Sequence, residues 1–75
     1  MAARTLAGAV VWIGENVRAR SAAALIRSDA VRLAADAHDT TPEAIAAAVV
    51  AWRISFHRIT GEWPNGHMAP TPEGA

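Results

Sequence analysis

The side chains able to do chemistry in this 75-residue chain are few and scattered. His38, His57 and His67 stand 19 and 10 positions apart, with no i, i+4 pair and no carboxylate cluster beside them. Metal sites need closely spaced ligands, so no metal is expected. Cysteine is absent, which removes disulfides, thiolate metal sites, thiol nucleophiles and CxxC redox chemistry together. Lysine and tyrosine are also absent, so Schiff-base chemistry and a tyrosine acid/base are excluded. Ser21, Ser28 and Ser55 fall in stretches that read as helix, without the sharp elbow or glycine-rich oxyanion loop that activates a serine. The expectation is a protein that is not an enzyme and carries no cofactor.

Charge is the next resource. The seven basic residues, all arginine, balance seven acids. The first 35 residues hold Arg4, Arg18, Arg20, Arg27 and Arg32 against Glu15 and Asp29; the rest hold Arg53 and Arg58 against Asp36, Asp39, Glu43, Glu62 and Glu73. Such a split lets chains dock head to tail or builds a modest basic patch. Arg18, Arg20, Arg27 and Arg32 are the candidate nucleic-acid contacts: arginines on phosphates give salt-sensitive affinity without sequence choice. The same residues also describe a solvated helix face in a chain that uses no lysine.

The elements that must position these groups are best marked in TTPEAIAAAVVAWRISFHRITG, residues 40–61. Thr40 or Thr41 suits the N-cap, Pro42 the first helical position, and Thr40 with Glu43 has capping-box spacing. Gly61 suits the left-handed position past the end, behind His57 and Arg58 in the last turn, where cations are favoured. Ile45, Val49, Trp52, Phe56 and Ile59 form one helical stripe. The other side carries Ala47, Val50, Ala51 and Ile54, with Arg53, Ser55, His57 and Arg58 as its polar relief. A helix apolar all round is a buried one, so helix 42–60 is expected to lie between other elements.

Upstream, residues 28–38 read as helix, with Ile26, Ala30, Leu33 and Ala37 on one face, and Ser21 to Ile26 reads as its continuation. Leu6, Val10, Ile13 and Val17 have helical spacing, followed either by a break near Arg18 to Ser21 or by one long helix that serves two different contacts. The alternative for this region is a hairpin, in which AVVWI and VRARS are strands around GEN. Trp12 lies off the Leu6–Val17 stripe and is a candidate interface anchor. Trp63 is expected to fold back on the core, with Pro64 and Asn65 at the centre of a turn closed by Gly66. Residues 1–67 are read as a single small domain and 68–75 as a flexible tail.

The stretch LAADAHDTTPEAIAAAV, Leu33 to Val49, resembles a helix-turn-helix core, with small Ala37 before a short turn and Ile45 and Val49 after it. It is also similar to the paired helices of ribbon-helix-helix antitoxins. Either resemblance covers less than a third of the chain and implies a small dimeric DNA-binding regulator. The sequence departs from the first pattern by placing His38 or Asp39 where the turn usually has glycine. It also offers Glu43, Ala44, Ala46 and Ala47 in the reading helix, which cannot make bidentate contacts to base edges. It departs from the second because SAAALIR is a poor strand.

A chain this short buries only about 60% of its unfolded surface, and without cysteine the remaining supplement is association. The sequence therefore predicts an all-α fold, a small bundle of two to three helices with a capped helix at about 42–60. Its expected role is self-association as a homo-oligomer, or docking on another protein, through Val10, Trp12, Ile13, Ala47, Val50 and Ile54. The antitoxin-like or helix-turn-helix-like DNA regulator is the alternative. No stretch reaches the ~20 apolar residues that span a bilayer. The apolar run Thr5 to Gly14 is followed at once by Glu15, Arg18 and Arg20, unlike a secretory leader, so a cytoplasmic location is expected.

Overall fold

The described residues form four helices, three of them opened by a side-chain cap. In the computed structural model, which describes residues 5–66 and 69–70, α1 is Leu6–Asn16, α2 Ala22–Ile26, α3 Asp29–Ala37 and α4 Pro42–Thr60. A single 3-10 turn follows at Pro64–Gly66. The fold is all-helical, and α1 settles the N-terminal ambiguity in favour of helix over hairpin. Thr5, Ser21 and Thr41 cap α1, α2 and α4, each side-chain oxygen accepting from the amide three residues on. Thr41, rather than Thr40, is therefore the cap of α4, and Pro42 follows it in the first turn. Gly61 ends α4 with φ 78°.

Two sequence expectations are corrected on the α2–α3 side. Ser21 to Ile26 is not a continuation of the next helix; Arg27 closes α2, and Ser28, in extended backbone, starts α3. The count is thus four helices instead of two or three. The break rotates α3, so its dry residues are Val31 and Ala35, while Leu33 is 69% exposed and Ala37 is also wet. The expected Ile26–Ala30–Leu33–Ala37 face assumed one unbroken helix.

The corner between α3 and α4 is a Schellman-type ending. Thr40 N–H donates to Ala35 O (2.9 Å) and Asp39 N–H to Asp36 O (3.4 Å), while Asp39 takes φ 54°. This left-handed position is where glycine is normally preferred. A similar device closes the last turn: Gly66 N–H donates to Trp63 O (2.9 Å) with Asn65 at φ 55°, as the Pro64–Asn65 reading requires.

Helix α4 packs against α1, α2 and α3. The smallest dimension of the molecule is 16 Å, about the thickness of two helix layers whose axes lie 8–10 Å apart. The long helix is therefore covered on one side only. Its buried residues are Ile45, Ala46, Val49 and Arg53, and they join Val10, Ile13, Leu25, Val31 and Ala35 in one core. Its opposite side, Ala44, Ala47, Ala51 and Ser55, is wet. The apolar-all-round pattern arose because alanine counts as apolar but is small enough to tolerate water.

The Ile45–Ile59 stripe is also rotated from its expected position. Ile59 is 84% exposed and Trp52 and Phe56 only half-buried, because the dry arc is centred on Val49 and Arg53. Arg53, expected to hydrate the helix, is instead its most enclosed polar residue.

Candidate functional site

Arg53 is the one charged side chain in the described core, with 0% exposure. Its planar guanidinium has five donors in a fixed fork, and three of them find backbone carbonyls. Nε donates to Gly14 O (3.1 Å), Nη1 to Ala19 O (2.7 Å) and Nη2 to Val17 O. Gly14 lies in the last turn of α1, so its carbonyl belongs to the negative end of the helix dipole, while the extended C-cap Val17 and Ala19 present loop carbonyls. The three carbonyls supply the counter-charge that no carboxylate supplies among these bonds. Burial pushes the Arg53 pKa below its ordinary value, the mark of a desolvation cost that the three carbonyls must offset. The arrangement is a structural clamp: it ties α1, the α1–α2 loop and α4 together.

Beside the clamp, the backbone of α1 comes close to the Trp52 ring at Gly14. A methyl group there would lie 2.6 Å from Trp52 Cζ3. Trp52 in turn tilts against Phe56, ring centroids 5.5 Å apart. At the end of α4 the His57 ring stacks flat on Trp63 at 4.0 Å, with its Nδ1 buried and without a hydrogen-bond partner. This stack brings the chain back so that Pro64 is buried against α1 and α4. Trp63 does fold back, but onto His57 at the end of α4 rather than onto the core. Ala69 O then accepts from Arg20 Nε (2.9 Å). The expected flexible tail otherwise falls outside the described residues, as do His67 and Arg4.

The candidate interface residues divide into two groups. Val10 and Ile13 belong to the chain's own core, Ile13 at 2% exposure, and so are already covered in this fold. Trp12 is 45% exposed on α1, Ala47 is exposed on α4, and Val50 and Ile54 are half-buried along the edge of the α4 outer face. The candidate phosphate contacts Arg18, Arg20, Arg27 and Arg32 are all exposed. Glu43, Ala44 and Ala47, on the outside of the first turns of α4, provide no donor to a base edge. Among the described residues no group of three His, Asp or Glu side chains could hold a metal ion.

Sequence reasoning took Arg53 only as polar relief on the helix and missed its place in the core. The signal was present: in AVVAWRISF a single cation interrupts an apolar run between Trp52 and Ile54, in register with Ile45 and Val49. Among the described residues no helix is long and apolar enough to cross a membrane. Comparison with family models, curated proteins and solved structures finds no match to this chain.

Proposed function

We propose that this protein is a non-enzymatic helical docking module, working in the cytoplasm, whose α4 outer face receives another helix, from a second copy or a partner protein, with exposed Trp12 of α1 as a separate candidate anchor. The observation that carries the reading is the one-sided cover of α4. The helix is held against all three others, yet Ala44, Ala47 and Ala51 form an outward strip edged by half-buried Val50 and Ile54. Small side chains on a rigid helix let a partner's ridge approach closely. An aromatic residue such as Trp12 adds the kind of anchor that concentrates binding energy. Solution mass across a concentration series tests the reading, with dimer expected to build up in the micromolar range. A monomer at high micromolar concentration, with a melting point independent of concentration, would remove self-association.

A second reading, a dimeric DNA-binding regulator, is favoured by the exposure of all four arginines. It requires duplex binding at low salt that collapses as salt rises and is impaired by Arg20→Ala with Arg27→Ala. The absence of any low-salt shift would end it.

A further inference from the structure

Two oppositely charged patches adjoin around α2 and α3. The basic patch comprises Arg18 and Arg20 in the α1–α2 loop and Arg27 at the C-cap of α2, all exposed. The five-residue α2 between Arg20 and Arg27 is only about 7.5 Å long, so the three positions lie at its two nearby ends. The bond from Arg20 Nε to Ala69 O holds one of them in place.

The acidic patch surrounds an open groove of about 540 Å³, with Asp29, Arg32, Leu33 and Asp36 of α3 along it and Thr40 and Pro42 at the corner. Exposed Asp39 and Glu43 flank that corner. Four carboxylates thus accompany the single Arg32, and Leu33 leaves 69% of its surface in water beside them. The two patches meet where Arg27 ends α2 and Asp29 begins α3.

We propose that this face pairs with the same face of a second copy about a two-fold axis near Arg27 and Asp29. Each basic patch then lies on the partner's acidic groove, and the two Leu33 side chains are covered between them. Adjacency is what closes the contact: because the patches border one another, one two-fold axis satisfies both at once, and no open chain of copies forms. The apolar stem of an arginine can lie along Leu33 and Pro42 while its head reaches a carboxylate. With zero net charge, two copies approach without overall repulsion. The carboxylates beside the arginines favour an acidic protein surface over a phosphate backbone. The proposal rests on the docking reading but uses a different surface, and it predicts a salt-sensitive step that the apolar α4 face would not show.

The test uses the full chain. Sedimentation is followed from roughly 0.02 M to 0.5 M salt, over which the screening length falls from about 20 Å to about 4 Å. Dimerisation is expected to weaken about tenfold or more, because charges set its strength. Arg18→Glu with Arg20→Glu, and separately Asp36→Arg with Glu43→Arg, should each abolish the salt-sensitive step. An equal mixture of the two double variants should restore it as a heterodimer. Ala47→Glu should leave this step intact while removing salt-insensitive association at α4. A wild-type mass independent of salt, or a mixture that stays monomeric although both variants retain helical circular dichroism, overturns the proposal. If a variant fails to fold, the wild-type salt series decides alone. Low-salt duplex binding that Arg18→Glu with Arg20→Glu abolishes, with the protein monomeric throughout, would assign the arginines to phosphate and overturn it too. Loss of the α4 contact alone would instead count against the docking reading at that face.

Discussion

The inner and outer faces of α4 are built from one 19-residue helix and follow different rules. On the inner face, Ile45, Ala46, Val49 and Arg53 are enclosed, and every group has a determined neighbour. The outer face is alanine and serine in water, with Val50 and Ile54 along one edge. The inner face specifies the fold because changing it leaves a cavity, a clash or an orphaned carbonyl. The outer face is nearly silent in stability, which leaves it available for association. Composition alone obscures the contrast, since both faces are counted apolar.

Breaking the inner face at its clamp should have the largest effect. Arg53→Met removes three donors and leaves the carbonyls of Gly14, Val17 and Ala19 without them. Leaving a buried acceptor unpaired costs about 1–3 kcal/mol, so three together approach the whole stability of a small domain. Urea titration by circular dichroism should show a largely unfolded chain. A midpoint close to wild type would mean that the clamp contributes little.

Gly14→Ala comes next. The added methyl group meets the rigid Trp52 ring, and overpacking of this kind costs about 1–3 kcal/mol. Trp52→Leu in the same chain should recover part of the loss, whereas a loss unaffected by Trp52→Leu would place its cause elsewhere.

A smaller change of opposite sign is expected at the α3–α4 corner. Asp39 holds φ 54°, a conformation that costs a residue with a Cβ about 1–2 kcal/mol. It also places a negative charge just past the negative end of α3. Asp39→Gly relieves both but loosens the unfolded chain, so a net gain of about 0.5–1 kcal/mol is expected, read as a higher melting temperature. A lower one would show that the Asp39 side chain has a stabilising role of its own.

The least effect on stability, and the clearest on assembly, belongs to the outer face. Ala47→Glu is a surface substitution and should shift stability by no more than about 0.5 kcal/mol. It should nevertheless lower salt-insensitive association about tenfold by placing charge within an apolar contact. Substantial unfolding of this variant would show that Ala47 is part of the inner packing after all.

Helix ends were the most legible part of this fold. The limits of α4, the helical spacing of α1, its break before Ser21 and the Trp63–Gly66 turn all follow from local chemistry that a single stretch of sequence contains. Rotation was much less legible. Leu33 and Ile59 were expected inside and are outside, because a break of two residues at Arg27–Ser28, or an arginine in the core register, turns a whole face. Of the candidate site residues, Trp12 and Ala47 lie on the surface and Val10 and Ile13 lie within. The hydrophobic spacing used to select them is identical for a core stripe and a docking stripe.

What the sequence determined by itself was the class and part of the punctuation: no thiol, lysine or tyrosine chemistry, an all-α fold, and the two ends of α4 at Thr40 or Thr41 and at Gly61. These depend on side chains acting on backbone groups three or four residues away. Only the tertiary structure decided which face of each helix is dry and that Arg53 lies within the core. The burial of Arg53 depends on carbonyls of Gly14, Val17 and Ala19, which are 39 to 34 positions distant in the chain. A charge is stable without water only where such distant dipoles converge on it, and no local pattern reports that convergence.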